Sequence, residues 1–170
     1  MDELLIKKAR KGDTESFSRI VLQVKDQAYR IAFCYLNNEA DSMDAVSDAV
    51  EKAFKNLSKL KQPKYFKTWF IRIVINECKL QLRAKEKVTT LADYLYLDET
   101  SSGNSDEKMD LDVCLRKLPS LERLMIYMKY YMGYTLDEIA EMMEISSGTV
   151  RTKVYGSLKI LKSKLEAKEV

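Results

Sequence analysis

Apolar side chains recur every three to four residues along most of the chain, which is the spacing of one buried helix face. The pattern predicts a first helix over residues 14–36, with Asp13 as N-cap, and a second that begins near Asp41. Pro63 separates the second helix from a third, predicted over residues 65–83. These two later helices are expected to bury the following side chains: Val46, Ala49, Val50, Ala53, Phe54, Leu57, Phe66, Trp69, Phe70, Ile73 and Leu80.

The helical pattern fails over residues 88–108, where Ser, Thr, Asn, Gly and acidic residues dominate. Beyond that stretch, Ser120 is the expected N-cap of another helix, which Gly133 ends. We therefore predict an all-α protein of two small helical domains, over residues 1–87 and 109–170, joined by a flexible acidic linker at residues 88–108.

Composition supports this fold class and excludes several kinds of site. Only five Gly and two Pro interrupt 170 residues, which favours long helices over many short strands. The three cysteines are widely spaced and His is absent, so neither a disulfide framework nor a zinc site is expected. No catalytic residue, metal or cofactor is predicted, because no nucleophile has a visible base partner and no glycine-rich phosphate loop occurs.

Charge is unevenly distributed along the chain. Residues 64–87 carry a net charge of about +5, residues 93–112 carry about −6, and the C-terminal stretch is basic again. Two basic blocks on either side of an acidic connector suggest two surfaces that bind a polyanion. The opening residues contain no apolar run long enough for a signal peptide or a membrane span.

The C-terminal block contains the most specific local pattern. Thr135 and Glu138 have the spacing of a capping box, in which each side chain bonds the other residue's backbone amide. After a short break at residues 144–146, a second helix follows with Ser146 as the expected N-cap. Two capped helices joined by so short a turn are typical of a helix-turn-helix.

The outward face of the second of these helices has the chemistry of major-groove recognition. Arg can donate two hydrogen bonds to guanine, Thr can contact a base or phosphate, and Lys and Tyr can bind the backbone. A helix N-terminus also attracts phosphate. The alternative is an ordinary solvated basic face. The candidate DNA-binding residues here are Ser146, Ser147, Gly148, Thr149, Arg151, Thr152, Lys153, Tyr155 and Lys159.

Three segments of the chain resemble segments of one known protein family. The segment YTLDEIAEMMEISSGTVRTKVYGSLKIL (residues 134–161) resembles the minus-35-reading region of the sigma-70 family, in its extracytoplasmic-function (ECF) group. DSMDAVSDAVEKAF (residues 41–54) resembles the helix that binds core RNA polymerase, and FKTWFIRIVINECKLQLR (residues 66–83) resembles the segment that melts and reads the minus-10 element. The resemblance covers nearly the whole chain in the expected order.

The resemblance implies roles for further residues. On the second helix, the residues expected to bind the clamp helices of the largest polymerase subunit are Asp44, Ser47, Asp48 and Glu51. A solvated acidic face is the alternative. Cations for phosphates and side chains for unstacked bases are expected around the third helix. The candidates for the minus-10 element are Lys64, Tyr65, Lys67, Arg72, Asn76, Lys79 and Arg83.

Two positions depart from the family pattern. Many members have Gly in the turn of the helix-turn-helix, where this chain has Glu144, so a backbone position that often adopts φ > 0 would carry a small cost. Ser47 stands where Gln is common. Each departure weakens the assignment of the family's role to the residue at that position.

The implied function is that of a dissociable promoter-recognition subunit in the bacterial cytoplasm. Its expected partners are core RNA polymerase, through the clamp helices and flap, promoter DNA in double-stranded and melted form, and an anti-sigma factor, which in this family is often membrane-bound. No direct membrane insertion is expected. Two rivals are a stand-alone helix-turn-helix regulator, which would bind palindromic sites as a dimer, and an all-helical enzyme, which would need a metal.

Overall fold

A computed structural model describes residues 3–92, 115 and 117–166 of the chain. The described residues form helices and connecting turns, with no strand among them. Their helices are α1 (Glu3–Ala9), α2 (Thr14–Leu22), α3 (Lys25–Leu36), α4 (Glu39–Asn56), α5 (Phe66–Ala92), α6 (Ser120–Ile126), α7 (Leu136–Met143) and α8 (Ser147–Glu166). None of these helices is long and apolar enough to span a membrane.

The N-terminal part is a bundle in which α3, α4 and α5 pack against one another and α1 packs on α2. Small residues on α4 allow close approach, since Ala45, Ala49 and Ala53 are fully buried. Phe66 and Phe70 on α5 are also fully buried, and their stacked ring centroids lie 5.9 Å apart. The prediction that this face of α5 is core is therefore confirmed.

The predicted first helix is instead two helices. Residues 14–36 divide into α2 and α3, and Val24 sits at the break with φ −119° and ψ −10°. Ile20, Val21 and Val24 are β-branched, which lowers the helix propensity near the break. The N-cap at Asp13 is confirmed, because its carboxylate accepts from the amides of Glu15 and Ser16 at 3.1 and 3.3 Å. Helix α1, which the sequence did not predict, precedes them.

Three further expectations differ from the structure. Phe54 and Leu80, expected inside, are 42% and 51% exposed, because each lies at the edge of its helix's buried face. Helix α5 continues to Ala92, past its predicted end and into the first residues of the predicted linker. Ser120 is the first residue of α6 rather than its N-cap, since Pro119 precedes it and makes no side-chain cap. Residues 93–114, which include most of the predicted linker, lie outside the described residues.

The C-terminal part packs α6 and α7 on α8. Helix α6 is extended by a π-helical turn at Tyr127–Tyr131, and Gly133 follows with φ +75°, so the predicted stop at Gly133 is confirmed. A single apolar cluster runs through both parts of the molecule, because α3 packs on α6 and α5 packs on α7. This packing brings the middle of α5, in the first basic block, against α7 of the helix-turn-helix.

Candidate nucleic-acid interface

The N-terminus of α7 is held by the predicted capping box. The Glu138 amide donates to Thr135 Oγ1 at 3.1 Å, and the Thr135 amide donates to Glu138 Oε2 at 2.8 Å. The bonds that Thr135 donates also hold the pKa of Glu138 below its usual value, because they stabilise the carboxylate. The start of the helix-turn-helix is thus fixed by two residues three positions apart, as expected.

The turn between α7 and α8 begins at a residue in the left-handed region. Glu144 has φ +58° and ψ 43°, and its amide donates back to carbonyls of α7. The Thr149 amide then donates to Ser146 Oγ at 3.1 Å, so the predicted N-cap of α8 is confirmed. The hydroxyl oxygens of Ser146 and Thr149 lie 2.7 Å apart, which ties both candidate residues to the same turn.

Helix α8 presents one face to the core and the other to solvent. Val150 and Val154 are almost fully buried, and Leu161 is also buried. The exposed candidates for the minus-35 element are Ser146, Gly148, Thr149, Arg151, Thr152, Tyr155 and Lys159. Ser147 is half-buried. Lys153 is also half-buried and pairs with Glu122 of α6, which leaves it less available to a ligand than its neighbours.

The minus-10 candidates divide into two groups. Lys64, Tyr65 and Lys67 lie exposed at the entry to α5, where Lys64 Nζ sits 4.8 Å from the centroid of the Tyr65 ring. A cation beside an exposed aromatic ring is suited to a strand with unstacked bases. Arg83 is exposed further along the same helix.

The second group, Arg72, Asn76 and Lys79, is half-buried on the middle of α5. Lys79 Nζ donates to the Met143 carbonyl oxygen, at the end of α7, at 2.9 Å. Arg72 Nη1 lies 3.9 Å from the Glu144 carboxylate. Burial lowers the pKa of Lys79, and the Glu144 carboxylate offsets part of that effect. Two candidate DNA-binding cations are thus covered by the helix-turn-helix.

All four candidate polymerase-binding residues lie exposed on one side of α4. They are Asp44, Ser47, Asp48 and Glu51. Glu51 also pairs with Lys55 one turn along the helix, and this contact lowers the pKa of its carboxyl. The opposite side of α4 carries the buried alanines, so the acidic side is free to contact another protein.

The sequence did not predict the role of Arg123, a residue of α6 that hydrogen-bonds to the C-terminal end of α3. Arg123 as a residue is 9% exposed, and its guanidinium donates from Nε to the Cys34 carbonyl at 2.5 Å and from Nη2 to the Tyr35 carbonyl at 3.0 Å. Gln27 of α3 makes a second contact between the two parts of the molecule, donating to the Tyr134 hydroxyl at 2.9 Å. The sequence carries no signal for Arg123, because its partners are backbone carbonyls that any residue could supply.

An apolar groove of about 590 Å³ lies where α3 faces α6 and α8. Its walls are mainly aromatic and aliphatic side chains, and it is separate from the outward face of α8. It is lined by Phe33, Cys34, Asn37, Leu115, Arg123, Ile126, Tyr127, Tyr130, Tyr131, Leu158 and Leu161. Within the part of the chain that the structure describes, no group of His, Cys, Asp or Glu side chains could hold a metal ion.

Comparison with known proteins identifies the two parts of the molecule. Residues 20–88 match the family model for sigma-70 region 2, and residues 108–161 match the model for sigma-70 region 4. The chain belongs to the sigma-70 family. This sigma factor is 28% identical over 148 residues to the RNA polymerase sigma factor SigV of Bacillus subtilis, covering 86% of this chain and 89% of that protein.

Further relatives place the sigma factor in the ECF group. It is 28% identical over 182 residues to the ECF RNA polymerase sigma factor SigW of Bacillus subtilis, covering 94% of each chain. It is 24% identical over 181 residues to the ECF RNA polymerase sigma-E factor of Escherichia coli K12, covering 97% of this chain and 94% of that protein.

Two solved structures share the fold of this chain. The sigma factor RpoE of Bartonella quintana, solved with the anti-sigma factor NepR, has a TM-score of 0.73 at 18% identity, over 91% of this chain and 99% of that chain. CnrH, solved with the cytosolic domain of CnrY, has a TM-score of 0.69 at 21% identity, over 98% of each chain.

Family membership decides between the functions that the sequence left open. The sigma factor directs transcription initiation by RNA polymerase at promoters. A stand-alone helix-turn-helix regulator would explain α7 and α8 but not the match of residues 20–88 to region 2. The predicted family and the predicted all-α, two-region fold are confirmed.

Proposed function

We propose that α8 is the helix that enters the major groove of the minus-35 element. The observation that carries this proposal is the exposed face of α8, where Arg151, Thr152 and Tyr155 follow directly after a doubly capped turn. The major groove admits an α-helix, and an Arg side chain there can bond both acceptors of guanine. Ser146, Ser147, Gly148 and Thr149 would bring the helix N-terminus to a phosphate. Lys153 and Lys159 would contribute charge to the same face.

We propose that α5 and its entry bind the melted minus-10 element. Lys64, Tyr65 and Lys67 support this assignment, because they offer two cations and an exposed ring to a single strand. Arg72 and Arg83 would follow the DNA backbone, while Asn76 and Lys79 would contact bases.

The acidic face of α4 is our proposed contact with core polymerase. Asp44, Ser47, Asp48 and Glu51 lie on one exposed side, and the three carboxylates among them are groups that a basic protein surface would bind. Region 4 would contact the polymerase flap. With both regions fixed on the polymerase, affinity for a promoter would depend on the spacing of its two elements, since each contact raises the effective concentration of the other.

We further propose boundaries at residues 1–87 and 109–170, with residues 88–108 as an acidic tether between the two DNA-binding parts. The chain would act in the bacterial cytoplasm, where RNA polymerase works. An anti-sigma factor is the proposed regulatory partner. Support for this partner comes from the fold shared with RpoE and CnrH, whose structures were solved with NepR and with the cytosolic domain of CnrY.

The experiment that tests this function is run-off transcription with sigma-free bacterial core polymerase on a library of genomic fragments. Defined start sites that share two motifs at a constant spacing would support the proposal. If no fragment is transcribed and the protein does not associate with core polymerase, the proposed recognition of both elements is wrong.

The α4 contact has its own test with a matched charge control. Asp48→Lys should weaken association with core polymerase in a native gel or by sedimentation. Glu141→Lys makes the same charge change at an exposed position on α7 and should leave association unchanged. Equal loss in both variants would mean that overall charge, and not the face of α4, governs binding.

A further inference from the structure

The two lysines of α4 differ in how they pair with the acidic side of that helix. Lys55 forms an ion pair with Glu51, one turn before it. Lys52 has Asp48 at the same spacing, but its Nζ donates instead to Oε2 of Glu77 on α5, at 2.6 Å. Asp48 lies exposed and has no ion-pair partner among the described residues. One of the two lysines is therefore turned away from the acidic side.

Burial explains why Lys52 bonds to Glu77 and not to Asp48. The side chain of Glu77 is 7% exposed, whereas that of Lys52 is 50% exposed. A buried carboxylate has lost most of its water, which costs free energy unless a cation or another donor replaces that water. Asp48 stays solvated, and an exposed ion pair on a helix contributes little. Lys52 thus pairs with the carboxylate that water cannot stabilise.

Without the Glu77 carboxylate, the nearest partner for Lys52 is the one that the other lysine of α4 already has, a carboxylate one turn earlier. An acidic residue four positions before a lysine is the favourable order for a helical ion pair, and Asp48 and Lys52 have that order. A positive charge beside Asp48 would neutralise a group that a basic surface can bind. Because Glu51 is already paired, Asp44 would then be the unpaired carboxylate of the three.

We propose that Glu77 is a positioning residue for the contact with core polymerase, because it holds Lys52 away from Asp48 and so preserves the negative charge of the acidic side of α4. Glu77 is buried, so it acts through Lys52 and does not itself contact the polymerase. This inference rests on the proposed polymerase-binding role of α4, and it adds a residue of α5 to that function.

The test measures the dissociation constant of the full chain and sigma-free core polymerase by biolayer interferometry, at one fixed salt concentration. Glu77→Met keeps the length of the side chain without its charge or its acceptors. This variant should bind about two- to threefold more weakly, because an exposed pair between Lys52 and Asp48 is formed only part of the time. When Glu77→Met is combined with Lys52→Met, no lysine remains to pair with Asp48, and the affinity should return to that of the wild type.

Lys85→Met is the matched control for the loss of an ion pair between α4 and α5. Lys85 of α5 pairs with Asp41 of α4. Its replacement breaks that pair but releases no lysine of α4, so it should not weaken association. Circular dichroism at the assay temperature establishes that each variant is folded.

A second readout needs no polymerase. Carboxylates are coupled to glycine ethyl ester with a carbodiimide, and the products are mapped by mass spectrometry with the exposed Asp44 as internal reference. Labelling of Asp48 relative to Asp44 should fall about twofold in Glu77→Met, because Lys52 then covers the Asp48 carboxylate part of the time. The ratio should return to the wild-type value when Lys52→Met is added.

The two readouts separate the possible failures. If the double variant binds as weakly as Glu77→Met, or if Lys85→Met weakens binding equally, loss of helix packing is the cause and the positioning role is overturned. Unchanged labelling of Asp48 in Glu77→Met would overturn it as well. If the labelling changes as expected but every variant, Asp48→Lys included, binds like the wild type, Glu77 does control Lys52 and the proposed polymerase contact of α4 is what fails.

Discussion

The guanidinium of Arg123 donates to the carbonyl oxygen of Tyr35 at a distance of 3.0 Å. Tyr35 lies in the last turn of α3, where carbonyl groups have no partner within the helix. Arg123 also donates to the Cys34 carbonyl at 2.5 Å, so one side chain of region 4 caps a helix of region 2. The positive charge suits the partial negative charge of the helix C-terminus.

This cap predicts that Arg123→Met lowers the free energy of unfolding. The substitution keeps an apolar stem but removes the donor of both of these hydrogen bonds, which costs about 1–3 kcal/mol. Urea denaturation followed by circular dichroism measures the change. Arg151→Met, at an exposed position of α8, is the matched control and should change stability by less than about 0.5 kcal/mol. Equal stability of the two variants would show that the cap contributes nothing.

The capping box predicts a smaller loss for Thr135→Ala. Without the hydroxyl, the Glu138 amide loses its acceptor and α7 loses one of the two bonds that hold its start. The expected decrease in the free energy of unfolding is about 1 kcal/mol, measured by urea denaturation. Thr135→Ser retains a hydroxyl and should recover most of the stability. A serine variant as unstable as the alanine variant would point to the methyl group instead of the cap.

The exposed face of α8 predicts a sequence-dependent defect for Arg151→Ala. Loss of a base contact in the major groove costs about 1–3 kcal/mol, which corresponds to roughly 5- to 150-fold in affinity. Run-off transcription from a promoter should fall, and the variant should no longer distinguish that promoter from one with a mutated upstream element. Lys7→Ala removes an exposed cation on α1 and should preserve the distinction. Uniform weakening on both templates would indicate a phosphate contact.

Burial of Cys34 predicts slow alkylation. Burial raises the pKa of this thiol to about 11, despite the opposing effect of Arg123. At pH 8 the thiolate fraction is then roughly a thousandth, against about a tenth for a thiol with the ordinary value. Alkylation of Cys34, mapped by mass spectrometry, should be about 100-fold slower in the folded than in the urea-unfolded protein.

The raised pKa of Cys34 fixes how its alkylation rate and the free energy of unfolding change with pH. Because the folded pKa of Cys34 exceeds the ordinary value of 9.0, folding favours the neutral thiol. Its alkylation should accelerate as pH rises towards 11, and the free energy of unfolding should fall over the same interval. A rate at pH 8 close to that of the unfolded protein would contradict the burial of this side chain.

Much of the helix-turn-helix was predictable because its determinants are local. Thr135 and Glu138 are three residues apart, as are Ser146 and Thr149, and their side-chain bonds form as predicted. The apolar spacing of α5 likewise placed Phe66 and Phe70 in the core. The family resemblance rested on the same segments, so the assignment to the sigma-70 family needed no coordinates.

The errors arose where neighbours in space override the local pattern. The spacing of apolar residues continues smoothly through residues 14–36, yet the helix breaks at Val24, whose side chain is buried. Phe54 has the spacing of a core residue but lies at the edge of the bundle, 5.0 Å from the ring of Phe17. Periodicity gives the direction of a side chain and not the depth of protein that covers it.

The sequence by itself determined the helical class, the caps at Asp13, Thr135 and Ser146, the helix-turn-helix and the family, because each depends on residues within a few positions of one another. Only the tertiary structure decided that Arg123 caps α3 and that Glu144 faces Arg72. The Arg123 contact joins positions 88 residues apart and ends on a backbone carbonyl, a group that every residue carries. No local pattern encodes such a partner, since packing of α3 on α6 and of α5 on α7 selects it.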